Sequence, residues 1–139
     1  MQNEKKEKLS ENGGEIAKIL LVEDDSFLRD ICEKKLKKEG FNVETAVDGR
    51  EAVEKAGEFK PELILLDIIL PVMDGFEVLK RIRSHNDESV KKTPVIMLTN
   101  LGQEEDSKKA LALGANDYLV KAYFTTEDII QKIKKRLGL

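Results

Sequence analysis

Leu65-Leu66-Asp67-Ile68-Ile69-Leu70-Pro71-Val72-Met73-Asp74-Gly75 reads as a short buried strand that runs straight into a carboxylate, with a turn on Pro71 and Asp74-Gly75 following at once. A lone Asp at the carboxyl end of a buried strand is costly unless something pairs with its charge. Three further strand-like segments end in reactive polar groups, at Glu23-Asp24, Thr99 and Lys121. Four such ends converging describe an acidic pocket with a cation in it.

On either side of that stretch, short apolar runs alternate with helical periodicity. Residues 18–22 (KILLV) form a strand bounded by acids, and Leu28, Ile31, Cys32 and Leu36 recur at helical spacing up to Gly40. Phe41, Val43 and Thr45 alternate as an edge strand does, and Ala52, Val53 and Ala56 mark a second helix. Leu63 to Leu66 is the third strand, Phe76, Leu79 and Ile82 the third helix, and residues 94–98 (PVIML) the fourth strand. Ala110, Leu111 and Leu113, closed by Gly114, give a fourth helix, and residues 118–120 a fifth strand. The last helix opens on a Thr125/Asp128 capping box and buries Ile129, Ile130, Ile133 and Leu137. Five βα units in strict alternation imply a doubly wound α/β fold, a parallel sheet with helices on both faces. Right-handed crossovers favour the flavodoxin-like (βα)5 strand order 2-1-3-4-5. That order sets Glu23-Asp24 and Asp67 side by side at the switch point, where ligands bind.

The 139 residues suit one domain with its own core, and 40% hydrophobic with 37% charged residues describes an ordinary globular composition. A net charge of −3 argues against direct nucleic-acid binding. One cysteine excludes a disulfide framework and fits a reducing compartment, so a cytoplasmic location is expected. No apolar run approaches the roughly 20 residues of a membrane span, so no membrane insertion is expected. Residues 1–15 (MQNEKKEKLSENGGE) carry too little apolar surface to offset ordering and read as a flexible tail before a domain at 16–139.

Carboxylates a few ångströms apart repel by about 4 kcal/mol per pair at 4 Å with an effective dielectric near 20. They stay ionised together only if a hard cation or a fixed one joins them. Oxygen ligands at an open mouth suit Mg²⁺, while Lys121 supplies a fixed charge and Thr99 a hydroxyl. With no Cys or Ser nucleophile and no His base in this set, Asp67 is the natural nucleophile and a phosphoryl group its natural electrophile.

The motifs ILLVEDDSFLR (19–29), LLDIILPVMDG (65–75), PVIMLT (94–99) and GANDYLVKA (114–122) together resemble the receiver domain of two-component response regulators, over roughly residues 17–139. The resemblance implies that Asp67 accepts phosphate from a sensor histidine kinase or a histidine phosphotransfer protein. It implies Mg²⁺ bound by Asp24, Asp67 and the Ile69 carbonyl, with Glu23 acting through water and Asp25 a bystander; a register shift of one would exchange those last roles. It further implies a switch in which Thr99 moves toward the phosphoryl group and Tyr118 rotates inward. The face made by the fourth helix, fifth strand and last helix is then rebuilt for a downstream protein target or a phosphorylation-dependent homodimer. Such a domain is a signalling phosphoacceptor, not a turnover enzyme, and assists only its own phosphorylation and dephosphorylation.

Two departures from the family pattern stand out. Ala122 follows Lys121 where a cis-proline is usual; a cis bond before Ala would cost about 3–4 kcal/mol, so a trans peptide is expected. Asn100 follows Thr99 where a small residue is common, which narrows the pocket mouth. In the family it resembles, the residues two after the phosphorylated Asp and two after the Thr tune phosphoryl lifetime; the resemblance puts apolar Ile69 and Leu101 there, and slow hydrolysis is the expectation.

The chain ends just after the last helix, which suggests a stand-alone receiver with protein contact as output. The alternatives are a phosphorelay intermediate and a degenerate, unphosphorylated interaction module. A DxD phosphatase is disfavoured by Ile69, two residues after Asp67, and a flavodoxin-type binder by the acidic loop after the first strand. Cys32 reads as core, Tyr118 as a partly buried aromatic whose hydroxyl reaches solvent unless the switch role holds, and His85 as a loop residue without a partner. Lys132, Lys134, Lys135 and Arg136 read as favouring the last helix's dipole and solvation.

Overall fold

The computed structural model describes residues 16–139; the tail assigned to residues 1–15 lies outside the described residues. Five strands, β1 (Lys18–Val22), β2 (Asn42–Ala46), β3 (Leu63–Leu66), β4 (Val95–Thr99) and β5 (Asp117–Val120), form one parallel sheet in the order β2-β1-β3-β4-β5. The helices are α1 (Ser26–Lys38), α2 (Gly49–Phe59), α3 (Gly75–Arg83), α4 (Glu104–Ala112) and α5 (Thr126–Leu137). The doubly wound fold with strand order 2-1-3-4-5 is therefore as expected. No helix of the described residues is long and apolar enough to cross a membrane.

The central strands are apolar without a break because both sheet faces are covered. Leu20, Val22, Ile64, Leu66, Val95 and Met97 pack into one core with Ala52 and Ala56 of α2 and Val78, Leu79 and Ile82 of α3. Their neighbours Ile19, Leu21, Leu63, Leu65, Ile96 and Leu98 point the other way, to Leu36 of α1 and Ile129, Ile130 and Ile133 of α5. Strand alternation alone thus sorts each residue to one of two cores. The register pairs Val22 with Leu66, so the next residues, Glu23 and Asp67, emerge together.

The helix ends follow their sequence signals. Asp74 caps α3, and Thr125 and Asp128 form a reciprocal capping box on α5. Gly40 and Gly114 take φ of 102° and 105° just past α1 and α4. Three details depart from the sequence reading. Phe41 is buried but precedes β2. Residues 88–91, the first two of them in the polar loop SHNDES (84–89) around His85, form a helical turn capped by Asp87 and anchored by buried Val90. A single apolar residue has no period, so periodicity could not find it. Along the stripe of α1 only Leu36 is fully buried, while Leu28 and Ile31 stay exposed beside a hollow shared with Leu98, Phe124 and Ile129.

Candidate functional site: an acidic pocket at the strand ends

Glu23 and Asp67 are 5% and 6% exposed at the carboxyl ends of β1 and β3. Each carboxylate is held in two ways. Asp67 Oδ1 accepts the Ile68 amide at 2.7 Å, and Glu23 Oε2 accepts the Asp25 amide at 3.1 Å. The other oxygen of each goes to Lys121, whose Nζ donates to Asp67 Oδ2 at 2.8 Å and to Glu23 Oε1. One oxygen is anchored to backbone and the other shares an ammonium. Burial by itself pulls the Lys121 ammonium down, but the hydrogen bonds to Asp67 and Glu23 carry it above the ordinary lysine value.

Asp24 completes the cluster. One oxygen each from Glu23, Asp24 and Asp67 lies within 4.8 Å of the others. The Asp24 carboxylate is exposed and has no hydrogen-bond or ion-pair partner among the described residues. A set of three carboxylates with one lysine, open to a hollow of about 340 Å³, fits a hard divalent cation of the Mg²⁺ kind. The hollow is also bordered by Asp25, Leu28, Ile69 and Asn100.

The other residues singled out in the sequence fall in three places. Thr99 is fully buried at the end of β4, and its hydroxyl accepts the Leu101 amide at 3.4 Å. Ile69, 59% exposed, borders the acidic hollow. Leu101 does not; it packs half-buried against the α2/α3 core. Tyr118 corrects the expectation of a solvent-facing hydroxyl: its phenol donates to the Leu101 carbonyl at 2.7 Å, and its ring packs on the same core. Burial, with Asp106 and Asp67 adding to it, raises the Tyr118 phenol above its usual range. The latch requires a loop carbonyl seventeen residues away, which no local pattern reveals.

The Lys121–Ala122 peptide is trans, as expected, and residues 121–123 form a 3-10 turn that brings Lys121 back over the pocket. Asp25 is not a register alternative to Asp24: its carboxylate caps α1 through the Phe27 and Leu28 amides. Cys32 lies partly buried beside the hollow next to α1, and burial pushes its thiol up to about 11, leaving it protonated and unreactive at neutral pH. Two cations escaped sequence reading, Arg29 and Arg83. Arg29 donates from Nη1 to the carbonyls of Glu23 (2.9 Å) and Asp24 (3.2 Å). Its place one helical turn beyond the acidic pair was the available signal.

Loop shape at the pocket depends on two glycines. A Cβ on Gly75 would lie 2.2 Å from the Asp67 carbonyl oxygen, and one on Gly49 would lie 2.0 Å from that of Met73. The loop between them also holds Val72 at φ 72°, a rare conformation for a β-branched residue.

Comparison with known proteins agrees with this geometry. Residues 19–134 match the family profile of the response regulator receiver domain. The Vibrio cholerae chemotaxis protein CheY4 is 37% identical with a TM-score of 0.78, covering 86% of this chain and 97% of that one. A CheY-like receiver domain protein from Methanospirillum hungatei is 32% identical, TM-score 0.80, covering 87% of this chain and 93% of that one. The receiver domain of the sensor histidine kinase PA1611 from Pseudomonas aeruginosa was solved with a magnesium ion coordinated in its active-site cleft. It is 32% identical, TM-score 0.79, covering 91% of this chain and 99% of that one. With its sheet order, its cluster of Glu23, Asp24 and Asp67, and these matches, the chain belongs to the response regulator receiver domain family.

Proposed function

We propose that this domain accepts a phosphoryl group on Asp67 from a phosphohistidine of a sensor histidine kinase or phosphotransfer protein. The observation that carries the reading is the shared Lys121 ammonium, which holds Asp67 and Glu23 while the Asp24 carboxylate, without a partner among the described residues, lies within reach of both. An Asp67 carboxylate oxygen attacks phosphorus, an O–P bond forms, and the P–N bond breaks. Its electron pair remains on the imidazole nitrogen of the donor. The Ile68 amide fixes the orientation of the attacking carboxylate. Lys121 neutralises charge on the phosphoryl oxygens. A divalent cation held by Glu23, Asp24, Asp67 and the Ile69 carbonyl would supply further charge neutralisation when bound.

Phosphorylated Asp67 would carry close to two negative charges, against one before. The buried Thr99 hydroxyl, at the carboxyl end of β4, would turn toward it and release the Leu101 amide. Tyr118 already holds the Leu101 carbonyl, so any movement of the β4–α4 loop pulls on β5 directly. The output surface is then α4, β5 and α5, read by a protein target or by a second copy. Exposed Phe27, Ile69 and Val72 rim the same end of the sheet and offer apolar contact to the phosphohistidine donor. Ile69 also shields the phosphoryl group from water, and slow hydrolysis follows.

Intact mass after incubation with an acyl phosphate and Mg²⁺ tests this. One phosphoryl adduct is expected, absent in Asp67→Ala and absent when Mg²⁺ is chelated. No adduct from an acyl phosphate or from a phosphorylated kinase would refute the reading. Decay of the adduct within seconds would refute the shielding by Ile69.

A further inference from the structure

The loop that carries Glu23 and Asp24 lies between the last paired residue of β1 and the first turn of α1. Its two carbonyls therefore belong to neither the sheet ladder nor the helix. Arg29 takes both, through a single guanidinium nitrogen. The Glu23 amide is paired with the Ala46 carbonyl, the Asp25 carboxylate caps α1, and the Asp25 amide holds Glu23 Oε2. Both backbone carbonyls of the Glu23-Asp24 pair thus end on Arg29, and the Asp24 carboxylate has no partner among the described residues.

From this geometry we infer that Arg29 is a positioning residue for the divalent cation, fixing the loop so that the Glu23 and Asp24 carboxylates face Asp67. The inference rests on the reading of the acidic cluster as a divalent-cation site. Its sign is what makes it testable. A guanidinium beside an acidic cluster repels an incoming cation, so on charge alone its removal tightens metal binding. If Arg29 acts by orienting ligands, its removal loosens binding, because the carboxylates must be ordered when the ion arrives.

The test is an Mg²⁺ titration followed by amide NMR shifts, with amide hydrogen exchange at residues 24–26 in metal-free protein, on the parent, Arg29→Gln and Arg29→Lys. Arg29→Gln is expected to bind Mg²⁺ about tenfold more weakly and to exchange faster in the loop without metal. Arg29→Lys, which keeps the charge and one donor, is expected to fall between. Binding in Arg29→Gln as tight as in the parent, or tighter, would overturn the inference, as would unchanged loop exchange. If Arg29→Gln does not fold, Arg29→Lys decides alone: weaker binding with faster exchange upholds the role, and parent-like behaviour in both rejects it. A parent that shows no Mg²⁺ shifts would remove the cation site itself and the inference with it. Metal-free exchange distinguishes that failure, because it still reports whether Arg29 orders the loop.

Discussion

The two ends of the sheet treat charge in opposite ways. At the amino ends, polar side chains finish on backbone. Arg83 donates to the carbonyls of Lys91, Thr93 and Gly114 and to Asn116 Oδ1, which in turn accepts the Val95 amide. Lys18 reaches the Phe59 carbonyl, and its amide donates to Glu62. At the carboxyl ends, Lys121 instead donates to both Glu23 and Asp67, and the Asp24 carboxylate has no partner among the described residues. A side chain bonded to backbone closes a gap that no ligand could fill as well. Charges bonded to each other can exchange partners, because another ion can replace either one. The first arrangement completes the fold and the second leaves a site.

The sharpest way to break this contrast is Lys121→Met. It strands two buried carboxylates, so in metal-free protein at pH 7 stability should fall by about 4 kcal/mol in urea unfolding. Millimolar Mg²⁺ should return a large part of that loss. The parent's advantage also has a pH signature. The folded-state value of Lys121 is raised, so its contribution is fully present below the free lysine value of about 10.4 and is lost as pH climbs through the folded value. Parent and variant stabilities should therefore converge only in strong alkali.

Arg83→Ala is the counterpart at the other end. It leaves the Thr93 and Gly114 carbonyls short of a donor and should cost about 2–3 kcal/mol, with no recovery on adding Mg²⁺ and with phosphoryl transfer intact. Equal rescue of both variants by Mg²⁺ would dissolve the distinction between the two ends.

Asp24→Asn sharpens the contrast in the opposite direction. It relieves repulsion among the three carboxylates, so the metal-free protein should melt a few degrees higher, while the stabilisation that Mg²⁺ gives the parent disappears. Melting curves identical to the parent's with and without Mg²⁺ would contradict the acidic-pocket argument. The smallest effect concerns the loop at the site's edge. Val72 is 76% exposed at positive φ, so Val72→Gly forfeits little burial and should raise stability in urea unfolding by about 1 kcal/mol.

The fold was legible because its signals are local. The run from Leu63 to Asp67, the Gly40 and Gly114 stops and the Thr125/Asp128 box each depend on neighbours a few residues apart. The exposed Leu28 and Ile31 mark where that logic ends. Helical spacing places them on the apolar stripe of α1, but whether a stripe is covered depends on what docks against it, and here α5 and the turn at Phe124 leave a hollow of about 320 Å³. The helical turn at residues 88–91 was illegible for a simpler reason, being too short to have a period.

From sequence alone came the five βα units, their order, and the identity of the acids and the lysine at the strand ends. Alternation and periodicity are short-range properties, and a buried strand that ends in a carboxylate is written in consecutive letters. Tertiary structure alone decided which oxygen of Asp67 and Glu23 meets Lys121 and that Tyr118 is tied to Leu101. Those contacts depend on strand register and on loop paths that carry no repeating pattern. Only the folded chain brings Lys121 across 98 residues of sequence to Glu23.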